Sequence, residues 1–538
     1  MNIEQQIKPS IVGFLAAGML MTAPISQANE RESLEQLRST TLSLIDLLVS
    51  EGVLSKSKAD LLVRNAEAAR LASVEKETVV NKESIAGDND AAKDGEKKMV
   101  RVQYVPEHVK NEMRDEIKKD IMAKLNYKAG ERLGLPEWID RFEWTGDMRL
   151  RYERDSFSNG NFLPYQFSNE LRNASITNTT EDRNRFRVRA RLGANVKISD
   201  WLSSGIRMTT GSNTDPVSPN QTLETMDSSG SSKFSFALDR AFLKAQLLPS
   251  LSVSGGRLAN PFFSTDLVWD PDLAFDGVAA NFTPKLSDNW SAFATVGAFP
   301  IDEIQSSDTN KAKSKWLFAG QAGLEWKTSQ TKTKFGVALY DYQNVEGTAN
   351  LLGNTDMYKD SAPAFRQKGN STFSINQANS TFCGAGGPCG LASEFRELNL
   401  TAQVDLAAFN PVHVILTGDY VRNLGFNQSK IQTRTGNTYD KENQGYQVKL
   451  TVGMPEVVKA HDWQVFGAYK RLEADAVLDA FTDSDFHLGG TDAKGWMLGG
   501  SYGLDKNTWL TGRWFSADEI SGLPLAIDVL MLDLNAKF

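Results

Sequence analysis

Alternation of apolar and polar side chains with a period of two begins at Phe142 and recurs to the end of the chain. A period of two is the geometry of a β-strand with one apolar and one polar face. The chain ends inside such a strand, because Leu532 and Leu534 lie on one face and Asp533 on the other. Strands of this kind build a barrel wall between lipid and water. They also build soluble sandwiches, in which the apolar face meets protein.

Repetition of the pattern favours the barrel. About sixteen alternating stretches can be distinguished, an even number, as single-chain bacterial barrels require. The connections alternate between tight polar turns, such as 198–200 and 505–507, and long segments, such as 344–393. The predicted fold class is therefore an all-β transmembrane antiparallel β-barrel of about sixteen strands over residues 141–538. An α-helical, periplasmic segment is predicted to precede it.

The amino-terminal region predicts export, although a soluble periplasmic protein would share this signal. An apolar run from Ile11 to Ile25 ends at the small-x-small cleavage site formed by residues 26–28. The predicted segments are a signal peptide (1–28), a helical hairpin (29–75), a flexible linker (76–100) and an amphipathic helix (101–140). Such helices most often serve packing or self-association, as in coiled coils.

Few residues point to catalysis, cofactors or metals. There are four histidines, of which His413 alone falls on a predicted strand with no marked serine beside it. There is no phosphate-binding loop and no Cys/His metal set. We therefore expect no enzyme activity, no cofactor, no metal and no nucleic-acid partner. The two cysteines, Cys383 and Cys389, lie close together in a glycine-rich loop and predict a disulfide at a loop tip.

Basic residues concentrate on the polar faces of the first predicted strands. They are Arg149, Arg151, Arg185, Arg187, Arg189, Arg191, Arg207, Arg240, Lys244 and Arg257. Lining a pore, such a ladder favours anions. Two other interpretations stay open. The arginines can pair across the wall with acidic residues and only keep the lumen wet, or they can form a transverse field with the more acidic later strands. The candidate wall acids are Glu143, Asp147, Glu153 and Asp239.

The connection formed by residues 260–273 differs from the other long segments. It carries two prolines, large apolar groups and three aspartates, Asp266, Asp270 and Asp272. A compact loop of this composition can fold into the lumen as a constriction and place the aspartates opposite the arginines. It can equally be a packed loop at the rim with no role in transport.

Several motifs together resemble the putative porin family of Gram-negative outer membranes. They lie at residues 40–49 (TTLSLIDLLV), 104–107 (YVPE), 146–152 (GDMRLRY) and 260–273. The resemblance covers nearly the whole mature chain. It implies a water-filled channel for passive diffusion of small hydrophilic solutes, with outer-membrane lipid around it.

The sequence also leads to expectations about the oligomeric state, and two alternatives to the channel function remain open. We expect a homo-oligomer, because a trimer is the commoner arrangement for barrels of this size, and contact of residues 29–140 with peptidoglycan. An adhesion barrel would instead use the loop 344–393 to meet an outside partner. A cell-envelope tether would use the barrel only as an anchor for the amino-terminal helices.

Overall fold

The computed structural model describes residues 141–167, 172, 176–223, 233–351, 354–376 and 388–538. The predicted signal peptide, helical hairpin, linker and amphipathic helix lie outside these residues.

The described chain is dominated by antiparallel strands. In chain order they are β1 (Phe142–Phe157), β2 (Arg183–Lys197), β3 (Leu202–Thr210), β4 (Gln221–Thr222), β5 (Phe236–Leu248), β6 (Leu251–Ala259), β7 (Ala274–Phe282), β8 (Trp290–Asp302), β9 (Lys315–Lys327), β10 (Thr331–Gln343), β11 (Thr372–Ser374), β12 (Cys389–Leu391), β13 (Arg396–Phe409), β14 (Val412–Asn423), β15 (Gln444–Gly453), β16 (Trp463–Leu472), β17 (Ala493–Gly503), β18 (Thr508–Glu519) and β19 (Ala526–Lys537). Sixteen of them form the wall, and the short β4, β11 and β12 belong to connections.

The wall is closed. Each wall strand pairs with its sequence neighbours, and β1 pairs with both β2 and β19. Closure removes the free edges that would leave unpaired backbone groups in lipid. The prediction of a sixteen-strand antiparallel barrel is therefore confirmed.

Alternation along each strand separates an apolar outer face from a polar inner face. On β1, Leu150 is 49 % exposed on the outside, whereas Arg151 is 1 % exposed on the inside. On β19, Leu532 faces outward and Asp533 is buried inside. An apolar outer face with a polar lumen is the arrangement of a barrel surrounded by lipid.

The connections differ in length at the two ends of the barrel. Seven short turns, such as 249–250 and 504–507, lie at one end, and eight connections, most of them much longer, lie at the other. In outer-membrane barrels the short turns are periplasmic. We call these ends the turn end and the loop end.

Helical segments in the described residues lie in the connections. They are α1 (Pro164–Phe167), α2 (Gln428–Thr435) and the 3-10 turns Lys359–Ser361, Asp479–Phe481 and Phe486–Leu488. The side chain of Asn427 caps α2 by accepting from the backbone of Lys430, and Gly436 ends it with a φ of 74°. None of the described helices has both the length and the apolar character that a membrane crossing needs.

The apolar core lies inside the barrel. Residues 260–273, the inward loop, fold between the walls, and Trp269 is 2 % exposed. The ring centroid of Trp269 lies 4.9 Å from that of Phe275 on β7 and 5.1 Å from that of Tyr340 on β10. This packing fills part of the lumen and fixes the loop against the wall.

Candidate functional site in the lumen

The register of β1 and β2 assembles an arginine ladder. It consists of Arg149 and Arg151 on β1 and of Arg185, Arg187, Arg189 and Arg191 on β2. Arg149 lies opposite Arg189, and Arg151 lies opposite Arg187. Directly opposed side chains on one face of a sheet are about 5 Å apart at Cβ, and like charges there are destabilising. The ladder therefore requires carboxylates close by.

Carboxylates from the wall and from a loop meet the middle of the ladder. Arg151 Nε lies 2.7 Å from Asp533 Oδ1 on β19, and its Nη1 lies 3.1 Å from Asp485 Oδ1. Glu153 binds both Arg185 and Arg187, the latter with an Nη1 to Oε2 distance of 3.2 Å. These three arginines are held in ion pairs.

The inward loop docks onto the next rung of the ladder. Asp272 Oδ1 lies 2.9 Å from Arg191 Nη1 and 3.4 Å from Arg189 Nη1. Asp147 of β1 binds the same two arginines at 3.0 Å or less. Asp272 thus ties the loop across the lumen to β2.

The remaining candidate basic residues differ from one another. Arg207 forms an ion pair with Asp239. Arg240 makes no ion pair with any described residue, and its Nε is buried without a hydrogen-bond partner. Lys244 is exposed towards the turn end of β5.

Arg257 does not join the ladder. Its Nε donates to the backbone carbonyl of Asp239 at 3.0 Å, and the residue lines the cavity towards the loop end together with Trp269 and Asp272. There its Nη1 lies 2.6 Å from Asp276 Oδ2. Arg257 therefore lies at the loop-end cavity, away from the ladder.

The three aspartates of the inward loop point to different neighbours. Asp266 accepts a hydrogen bond of 2.7 Å from Gln447 Nε2 on β15. Asp270 accepts from the backbone N–H of Ser484, at 3.0 Å. Of the three, only Asp272 contacts the arginine ladder.

A second loop, residues 473–492, braces the inward loop, and sequence reasoning missed its role. Thr482 Oγ1 donates to the carbonyl of Leu267 at 3.1 Å, and the N–H of Asp270 donates to the carbonyl of Phe481 at 2.8 Å. Asp485 of this bracing loop reaches the ladder. Burial alone would raise its pKa, but the guanidinium groups of Arg151 and Arg513 hold the pKa of Asp485 below its usual range.

The described residues line successive cavities within the lumen. A cavity of about 620 Å³ lies towards the loop end, a central chamber of about 330 Å³ follows, and a cavity of about 630 Å³ opens towards the turn end. Asp272 lines the first two, whereas Arg189 and Arg191 line the last two. The ion pairs between Asp272 and these arginines therefore lie where the cavities meet.

The cysteine pair and His413 are candidate sites outside the arginine ladder. Cys389 begins β12, but Cys383 lies outside the described residues, so their disulfide stays a prediction. His413 Nδ1 lies 2.7 Å from Asp405 Oδ1 on the lumen wall. Within the part of the chain that the structure describes, no group of three or more His, Cys, Asp or Glu side chains is arranged to hold a metal ion.

A closed wall with an apolar exterior, a charged lumen and a loop folded inward defines an outer-membrane channel barrel. Residues 38–538 match the model of the family described as "Putative porin". The chain therefore belongs to the putative porin family, and we place it in the outer membrane. No curated protein sequence matches it.

Solved structures of outer-membrane proteins align with low sequence identity. OprB of Pseudomonas putida in its high-pH structure has 11 % identity and a TM-score of 0.45, covering 75 % of this chain and 96 % of OprB. OmpF of Salmonella typhi, solved in complex with daunomycin, has 11 % identity and a TM-score of 0.38, covering 74 % and 97 %. The outer membrane channel DcaP of Acinetobacter baumannii has 11 % identity and a TM-score of 0.37, covering 74 % and 97 %.

Proposed function

We propose that this porin conducts small hydrophilic solutes by passive diffusion, with a modest preference for anions. The observation that carries the proposal is the succession of cavities of about 330 to 630 Å³ along the lumen, with Asp272 and the arginines of β2 where they meet. Charged side chains around a narrow, low-dielectric passage bias which ions enter it.

The charge balance of the cavities supports a modest rather than a strong preference. The central chamber is lined by five basic and five acidic side chains. The turn-end cavity is lined by five basic side chains and one acidic side chain, Asp147. The loop-end cavity is richer in aspartates, but most of them are already paired, as Asp302 is with Lys315 and Asp239 with Arg207.

Two arginines carry the anion preference in this proposal. Arg149 and Arg240 have no carboxylate within 4 Å among the described residues, unlike Arg151, which sits in ion pairs. An arginine that is already matched by a carboxylate adds little net field to the lumen, because the two charges cancel beyond a few ångströms.

The test is single-channel conductance in a planar bilayer, with the reversal potential measured across a potassium chloride gradient. Wild-type protein should give stable open steps and a reversal potential on the chloride side. Arg149→Gln combined with Arg240→Gln should move the reversal potential towards potassium by a measurable margin. Arg154→Gln, on the outer face of β1, serves as the matched control and should change nothing.

Two results would contradict the proposal in different ways. Open steps with the same reversal potential in wild type and double variant would remove the arginines from ion selection. Reproducible insertion without conductance would favour the alternative of an adhesion or envelope-tethering barrel.

The proposal also covers the oligomeric state of the protein and the role of its amino-terminal region. We propose a homo-oligomer, with a trimer as the first arrangement to test by cross-linking in mild detergent. Residues 29–140 are proposed to be periplasmic and to contact peptidoglycan, which a pull-down with purified sacculi would test. We propose no catalytic role and no nucleic-acid partner.

A further inference from the structure

Unused guanidinium donors converge on the central chamber. The Nε groups of Arg149, Arg189 and Arg513 are buried, and none has a hydrogen-bond partner among the described residues. All three arginines line the same chamber of about 330 Å³. Buried donors without partners cost free energy, so a group that accepts from them would be stabilised there.

Arg149 is the one ladder arginine in the chamber with an unmatched charge. Its side chain donates to the amide oxygen of Asn220, and no described carboxylate lies within ion-pair distance. Arg189, across the pair of strands, is already bound by Asp147 and Asp272. A planar guanidinium with a free edge is suited to bind a carboxylate through two parallel hydrogen bonds.

An unmatched carboxylate lines the same chamber. Asp270 accepts hydrogen bonds from the backbone N–H groups of Asp272, at 2.8 Å, and Ser484, at 3.0 Å. It makes no ion pair within the described chain. Burial raises the pKa of Asp270 well above its ordinary value, and the neighbouring carboxylates of Asp483, Asp272 and Asp485 add to the rise. Those three carboxylates have cationic partners of their own, so a cation placed beside Asp270 would favour the ionised form of the one that has none among the described residues.

The chamber also has an apolar side and a limited size. Phe466, Met497 and Phe515 line it. A volume of about 330 Å³ corresponds to roughly eleven waters at ~30 Å³ each. This is room for a solute of amino-acid size.

We infer that the central chamber binds zwitterionic solutes of the amino-acid class. The solute carboxylate lies on Arg149, next to the free Nε groups of Arg189 and Arg513. The solute ammonium lies against Asp270, and an apolar side chain packs against Phe466 and Phe515. The inference rests on the proposed diffusion function only in that solutes reach the chamber through the lumen.

The test is isothermal titration of the purified, full-length protein in detergent with L-phenylalanine as the probe. Acetate supplies the carboxylate alone and butylammonium the ammonium alone. L-phenylalanine should bind at least tenfold more tightly than either. Arg149→Gln and Asp270→Asn should each weaken binding at least tenfold, whereas Arg154→Gln and Asp288→Asn, on the outer wall and in an exposed turn, should leave it unchanged.

Several outcomes would overturn the inference. Acetate binding as tightly as L-phenylalanine would make the chamber a simple anion site. Unchanged binding in Asp270→Asn would remove the ammonium site. A folded barrel changes its gel mobility on boiling. If Asp270→Asn lacks this shift, the variant is not folded, and the binding of L-phenylalanine relative to acetate and butylammonium by the wild-type protein then tests the inference.

Titration also separates this inference from the proposed function. Binding without bilayer conductance would support the chamber site and contradict the diffusion channel. Conductance without binding would contradict only the chamber site.

Discussion

Replacing Arg151 by methionine should destabilise the barrel far more than replacing its ladder neighbour Arg149 by glutamine. Arg151 is 1 % exposed and contacts Asp533 through two nitrogens, at 2.7 and 3.1 Å, and Asp485 through a third contact at 3.1 Å. Removing one partner of a buried pair leaves the other charge uncompensated, which costs about 3–5 kcal/mol.

The expected loss lies at the lower end of that range. Arg513 also binds both aspartates, at 3.0 Å to Asp485 and 3.1 Å to Asp533, so part of the compensation survives. We expect a loss of about 3 kcal/mol for Arg151→Met. Arg149→Gln removes a hydrogen bond to Asn220 but breaks no ion pair with a described residue, and we expect a loss of about 1 kcal/mol.

The assay is equilibrium unfolding in urea of the protein in lipid vesicles, followed by tryptophan fluorescence. The quantity to compare is the loss in free energy of unfolding in Arg151→Met and in Arg149→Gln. The two variants are matched, because both residues lie on β1 and face the lumen. Combining Arg151→Met with Asp533→Leu should recover part of the loss, since no carboxylate is then left buried at that position. Equal losses for the two single variants would refute the account of the ladder as a row of unequal charges.

Three other perturbations test other contacts. Asp272→Asn should weaken the contact of the inward loop with Arg189 and Arg191, and should raise single-channel conductance and anion preference in a bilayer. Burial lowers the pKa of Lys368 to about 8. The folded protein therefore releases this proton at a lower pH than the unfolded chain does, and the free energy of unfolding should rise between about pH 8 and 10. The rise should be absent from Lys368→Met. Mass spectrometry of an unreduced digest should show Cys383 joined to Cys389, and two alkylated thiols would contradict the predicted loop-tip disulfide.

The sequence was sufficient for the barrel but only partly for the lumen. Period-two alternation is a local property, so the sixteen strands and the inner position of Arg185 to Arg191 followed from it. The partners of these arginines are not local. Asp533 is 382 residues from Arg151, and Asp485 belongs to a long loop whose inward fold leaves no periodic signal.

The ladder also connects the charge of the lumen to closure of the barrel. Arg151 lies directly opposite Asp533 in the pairing of the first wall strand with the last. This ion pair forms only when β1 and β19 meet, so closure of the wall supplies one of the carboxylates that match Arg151, beside Asp485 of the bracing loop. Arg149 lies two residues away on the same strand, opposite Asn535 rather than an acid. The closing strand thus supplies a carboxylate to Arg151 and none to Arg149, which is the arrangement that both anion preference and carboxylate binding at Arg149 need.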